Sequence, residues 1–211
     1  MKKLLLLFLF CPLAALAEFY PGTITMNDGT AKTGFVEIPG TADKNKVAFR
    51  ADKKGSTEKF SIEDVKMFTV TLKKNEEATY YALKLANIKT FKKEYKVDKD
   101  KSWVRMIVPG KVNIVAAYFY SGAVMGAVAS TASSGYGYFF WRPENDYCTY
   151  FHSDVSSGLS VTIGAFKTLK KFVEINFEQD CPQLAELLVK DDIKKNGLKR
   201  IVELYEKNCG K

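Results

Sequence analysis

Thr23-Ile24-Thr25-Met26, then Asn27-Asp28-Gly29, then Thr33-Gly34-Phe35-Val36-Glu37-Ile38 is two runs of strand-forming residues joined by a dipeptide that tolerates positive φ. That combination predicts a β-hairpin, which Pro39-Gly40 closes. The same grammar continues outward. Lys46 to Arg50 and Thr57 to Ile62 form a second pair across the lysine-rich, glycine-containing stretch Asp52 to Ser56, and Ile62-Glu63-Asp64-Val65 reads as a single helical turn before Met67 to Leu72. In Thr79 to Leu85, Tyr81, Leu83 and Leu85 alternate onto one face, as in a strand with one buried side. Lys89 to Val97, Trp103 to Val108 and Val112 to Tyr120 extend the series, with Pro109-Gly110 as a turn. Short strands at regular spacing predict an antiparallel meander, a curled sheet or a small barrel over residues 18–162.

From residue 163 to 211 the period changes. Phe166, Leu169, Val173 and Phe177 recur at helical spacing, with Lys167, Lys170, Lys171 and Glu174 opposite them. Pro182 suits the first turn of a second helix striped by Leu184, Leu187 and Leu188. Leu198, Ile201, Val202 and Tyr205 mark a last helix that Gly210 ends. Such stripes need a surface to pack on, so the expected class is α+β: the β-rich region followed by two or three packed C-terminal helices.

Residues 1–17 have the three-part form of a cleavable secretory signal: Lys2 and Lys3, the apolar run Leu4 to Phe10, and Ala15-Leu16-Ala17 as the small-x-small cleavage pattern. Cleavage before Glu18 would leave 194 residues carrying 30 basic and 24 acidic side chains. A net charge of about +6 suits a solvated surface, and the lysines are scattered without a zinc-finger or aromatic-basic RNA-binding signature, so no specific nucleic-acid signal is present. Cys148, Cys181 and Cys209 would remain in the processed chain. An exported chain admits one disulfide, and Cys181 with Cys209 is the favoured pair because both sit at ends of predicted helices; a pairing through Cys148 stays open.

Residues 112–141 are thirty positions without a charge. Within them, in the small-residue segment 121–134, Gly122, Gly126, Ser130 and Ser134 fall every four residues, the small-xxx-small spacing of packed membrane helices. The plainer reading is a buried strand through Tyr120, a loop or short surface helix, and a second strand over Tyr138 to Trp141.

Motifs for chemistry are sparse. His152 is the only histidine, so no multi-histidine metal centre can form. Cys148 lies four residues before it, a spacing that shares a face in a regular strand, which makes Cys148/His152 the candidate nucleophile and base. Glu144 and Asp146 are the candidate carboxylate pair, although turn chemistry explains Arg142-Pro143-Glu144-Asn145-Asp146 equally well. Trp103, Trp141, Tyr136 and Tyr138 are candidates for a sugar-binding platform, against the commoner fate of core packing. No cofactor motif is present, and the expectation is none.

The run Pro21-Gly22-Thr23-Ile24-Thr25-Met26-Asn27-Asp28-Gly29-Thr30 with Gly34, together with Phe177-x-x-Asp180-Cys181-Pro182-x-Leu184 and Ile201-Val202-x-x-Tyr205-x-x-Asn208-Cys209, resembles uncharacterised secreted proteins of Bacteroidetes-type bacteria. The resemblance implies an envelope or extracellular setting and no particular activity. The expectation is therefore an exported, non-enzymatic binding or envelope-structural protein, located in the periplasm, at the cell surface or outside the cell. Its partner would be an envelope protein, a polysaccharide or a membrane surface. The alternatives are a membrane-associated protein that uses the segment 121–134, and a hydrolase-like enzyme that uses Cys148/His152 or Glu144/Asp146.

Overall fold

Gly29, at φ 87°, turns the chain between β1 (Phe19–Met26) and β2 (Ala31–Glu37), and the Asp28 carboxylate accepts a 2.8 Å hydrogen bond from the Thr30 amide. The computed structural model describes residues 18–89, 94–119, 134–154 and 163–210. β3 (Lys46–Arg50), β4 (Glu58–Ser61) and β5 (Val65–Thr71) follow, ordered β4-β3-β2-β1-β5. Between β4 and β5 the expected helical turn is instead a tight turn, closed by the Asp64 amide donating to the Ser61 carbonyl at 3.1 Å. Gly22 and Gly34 face each other across β1 and β2. A Cβ on Gly22 would lie 2.3 Å from the Thr69 carbonyl oxygen, and one on Gly34 would lie 2.3 Å from that of Arg50. These two positions let β5 and β3 approach closely, and the sheet curls around a core that includes Ile24, Val36, Phe68 and Val70.

β6 (Glu77–Lys89) belongs to two structures. One of its edges pairs with β5 along its first half and with β10 (Tyr147–Asp154) from Lys84 to Ala86. Its other edge pairs with β7 (Glu94–Val108), and β8 (Asn113–Phe119) and β9 (Gly135–Trp141) complete a five-stranded ring, β6-β7-β8-β9-β10. In an antiparallel meander with an odd number of strands, the first and last run the same way. The closing β6–β10 pair is accordingly parallel. The ring interior holds Leu83, Leu85, Val104, Val115, Phe139, Trp141 and Cys148, with Tyr81 packed against them. Trp103 to Val108 and the second half of Lys89 to Val97 thus join one 15-residue strand that includes the charged run Asp98 to Lys101; the register against β6 shifts there.

β7 and β8 pair only from Arg105–Ala116 to Val108–Ile114. Beyond that point one residue of the β2–β3 loop enters the seam. Ala42 accepts from the Trp103 amide at 2.9 Å and donates to the Tyr118 carbonyl at 2.8 Å, so it satisfies both strands where their own ladder ends.

The helices cover the outer face of β8–β10. α1 (Ile163–Phe177) buries Leu169, Val173 and Phe177 as its spacing predicts, each contributing about 1.5–3 kcal/mol. The ring of Phe140 stacks on Phe151 at 3.9 Å and meets the edge of Phe177 at 4.9 Å. α2 (Leu184–Leu187) is a single turn with Leu187 exposed, shorter than its leucine stripe predicts; Leu188 is buried just past its end. α3 (Lys190–Asn196) was not evident in the stripe pattern, and Gly197 at φ 71° separates it from α4 (Lys199–Asn208). Ile201, Val202 and Leu204 of α4 are buried, and its Glu206 carboxylate accepts a 3.0 Å hydrogen bond from the Lys111 amide in the β7–β8 turn. Cys181 and Cys209 form the expected disulfide, with a Cα separation of 5.7 Å, and Cys148 stays free. The chain is α+β.

Candidate functional site

A single cross-strand row of partners runs Ile24, Phe68, Tyr80, Arg105, Ala116, Tyr138, His152 from β1 through β5–β10. It lies on the face opposite the ring interior. The curled sheet covers one end of this face, where Phe68 and Tyr80 stack at 4.7 Å. The helices cover the other end, where Tyr138 is buried. Between the two covers lies a cleft of about 360 Å³.

Tyr20, Tyr80, Trp103, Tyr118 and Tyr136 give the cleft its aromatic lining, with Arg105 among them. Residues i and i+2 of a strand share a face, so Trp103 and Arg105 of β7 project together. Tyr118 of β8 and Tyr136 of β9 are cross-strand partners with ring centroids 5.1 Å apart. Glu37 at the end of β2, residues 38–42 after it and Glu18 before β1 form most of the remaining wall.

The charges in this lining are largely matched. Arg105 Nη2 donates to Glu76 Oε1 at 2.8 Å. Glu18 accepts from the Tyr20 hydroxyl at 2.7 Å and pairs with Lys73 at 3.3 Å; the Tyr20 bond, then Lys73, holds its carboxyl below the usual range. The Tyr20 hydroxyl is pushed up by the same bond, and Tyr80 chiefly by burial, so both phenols stay neutral hydrogen-bonding groups. Two donors are not matched. The indole N–H of Trp103, a residue 3% exposed, and the Nε–H of Arg105 are buried without a partner among the described residues. An unsatisfied buried donor costs about 1–3 kcal/mol. Trp141 is the internal contrast: its indole N–H donates to the Asn145 carbonyl at 3.0 Å.

A second recess of about 360 Å³ lies between β9–β10 and the end of α1, and its polar groups bind one another. Arg142 pairs with Asp180 at 2.7 Å, the Tyr205 hydroxyl donates to the same carboxylate at 3.0 Å, and Tyr95, its phenol pushed up to about 12 chiefly by burial, donates to the Ile175 carbonyl at 3.5 Å. This recess is a seam that fastens helix to ring.

Cys148 and His152 do not form the candidate pair. A register shift in β10 between Tyr150 and His152 reverses the alternation. Cys148 is sealed in the ring interior, where burial pushes its thiol up, whereas His152 stacks with Tyr138 on the outer face. Asp146 is held by Lys84 at 2.8 Å, and that hydrogen bond lowers its carboxyl; Glu144 is exposed on the turn. Among the described residues no group of three or more His, Cys, Asp or Glu side chains could hold a metal ion, and no helix is long and apolar enough to cross a membrane. Gly122, Gly126 and Ser130 lie outside the described residues, as does the signal at 1–17; Ser134 is half-buried just before β9.

Of the four aromatic candidates, Trp103 and Tyr136 line the cleft, Trp141 faces the ring interior and Tyr138 packs beneath the helices. Tyr20, Tyr80, Arg105 and Tyr118 were missed. The available signal was local: Tyr80 takes the face opposite Tyr81, and Arg105 sits two residues from Trp103. The arrangement offers aromatic faces and phenol hydroxyls, which is a binding chemistry, while the two unmatched N–H donors lie buried behind them. No protein-family model matches the chain, and no curated protein or solved structure matches it.

Proposed function

We propose that this chain is an exported, non-enzymatic binding protein whose ligand occupies the cleft between the curled sheet and the ring. The observation that carries the reading is the cleft's lining, which gathers Tyr20, Tyr80, Trp103, Tyr118 and Tyr136 around Arg105 in one concave surface. A concave aromatic site with a few polar groups is the usual form of a small-molecule site. Its volume lies at the small end of the range of about 300–1,000 Å³ for such sites. Export is supported by the signal-like form of residues 1–17 and by the Cys181–Cys209 disulfide, a bond favoured in oxidising compartments.

The two tryptophans make the test direct. Incorporating 5-fluorotryptophan gives one ¹⁹F resonance for Trp103 and one for Trp141, assigned with Trp103→Phe. Neutral and acidic oligosaccharides, short peptides and lysophospholipids are then titrated in separate arms. The expected result is saturable movement of the Trp103 resonance in at least one arm, with Trp141 unmoved. No movement of Trp103 in any arm would overturn the reading.

A further inference from the structure

Resting on that reading, we infer that the cleft recognises neutral sugar residues of an oligo- or polysaccharide, with pyranose rings against its tyrosines and hydroxyls bonded to its phenols and to Glu37.

Charge narrows the ligand first. Arg105 is already paired with Glu76 and Glu18 with Lys73, while Glu37 adds a further carboxylate to the wall. No cation in the lining is left uncompensated, so an anionic ligand would meet carboxylates without a matching charge. Hydrogen bonding narrows it further. The phenol hydroxyls of Tyr118 and Tyr136 donate as well as accept, and an alkyl chain would use neither function. The phenols of Tyr118 and Tyr136 and the Glu37 carboxylate add acceptors for ligand hydroxyl protons. A pyranose combines apolar C–H faces with hydroxyls that both donate and accept, and so uses the rings and the polar groups together.

The backbone argues against a peptide added as a strand. Strand addition needs open N–H and C=O groups along a sheet edge. At the cleft the Trp103 amide and the Tyr118 carbonyl are already bonded to Ala42. What the cleft offers a ligand is therefore side chains.

The test uses the ¹⁹F-labelled chain with maltohexaose, cellohexaose, laminarihexaose, xylohexaose, mannohexaose and chitohexaose, alongside polygalacturonate oligomers, an extended hexapeptide and a lysophospholipid. The expected result is that at least one neutral hexasaccharide moves the Trp103 resonance saturably. For that sugar, Tyr136→Ala and Tyr118→Ala, at partly exposed positions of the lining, should each weaken binding about tenfold by calorimetry. Unchanged far-ultraviolet circular dichroism and urea midpoints establish that the variants are folded. If the Tyr118→Ala variant fails to fold, Tyr136→Ala alone carries the comparison. The sugar assignment is overturned if the acidic oligomer, peptide or lipid moves Trp103 and no neutral hexasaccharide does, an outcome that leaves the binding reading standing. It is equally overturned if a sugar binds with affinity unchanged in the folded variants. If nothing moves Trp103, both readings fall.

Discussion

β2 and β8 are each seven residues long, yet β2 is buried only at Val36 whereas β8 is buried continuously from Asn113 to Ala117. The two strands differ in how many layers rest on them. β2 lies in the curled half, where a core fills the concave side and the other side is open. β8 has the ring interior on one face and, on the other, the helices that cover Ile114 and Ala116. A run of apolar residues thus reports a sheet with two covers, and alternation a sheet with one. The cleft lies on the same outer face as Ile114 and Ala116, where the helix cover gives way to the curled sheet, and Ala116 is part of its lining.

If the ring owes part of its strength to the helices, the largest effect should come from the side chain that joins the two. Phe140→Ala removes the ring that stacks on Phe151 and meets Phe177, and should cost about 3–5 kcal/mol in urea unfolding. A loss below about 1 kcal/mol would mean that the helices add little to the ring.

Next is the disulfide. Cys181→Ser with Cys209→Ser opens a loop with a sequence separation of 28 and should cost about 3.5 kcal/mol on a chain-entropy basis. Hydrogen exchange should quicken in α1 and α4 while β1 and β2 keep their protection. Equal loosening of the curled half would show that the two regions unfold as one unit.

The curled half has its own sensitive position. Gly34→Ala places a methyl against the Arg50 carbonyl and the Phe49 ring, and should cost about 1–3 kcal/mol with the disturbance centred on β2 and β3. If β8 amides lose as much protection as those of β3, the contrast between the halves fails.

The smallest effect is electrostatic. Asp192 and Asp146 have carboxyls lowered chiefly by hydrogen bonds from Arg200 and Lys84 respectively. Depressed carboxylates stabilise above their ordinary range, near pH 4, and lose that contribution as pH falls through their folded values. Asp192→Asn should therefore lower the urea midpoint slightly at pH 7 and flatten its decline on acidification. An unchanged acid limb would remove Asp192 from the account.

Much of this was legible in the amino acids because it is local. Asp28-Gly29 gave the first hairpin, Tyr81, Leu83 and Leu85 the ring-facing side of β6, and Leu169, Val173 and Phe177 the buried stripe of α1. Cys181 and Cys209 could be paired because both flank helices. The parallel contact of Lys84–Ala86 with Tyr147–Thr149 could not be read, since two segments so far apart leave no local mark of their partnership. The bulge in β10 was hidden too, and it separated Cys148 from His152. The cleft draws residues from β1, β6, β7, β8 and β9, so only the folded register brings Tyr20, Tyr80, Arg105 and Tyr118 together.

The closure of the ring between its first and last strands also bears on the order of folding. Every antiparallel hairpin from β1 to β7 can zip from a nearby turn, at small entropic expense. The parallel contact between β6 and β10 has no such shortcut, because every intervening ring strand must be placed before the last can meet the first. A chain emerging from its amino end would hold a finished curl and an open-sided ring, with the future interior around Phe139 and Trp141 exposed, until Tyr147 to Thr149 arrive. Ring closure, the longest-range contact of the sheet, is then the step expected to come last, and the interval before it the one in which the apolar interior is open.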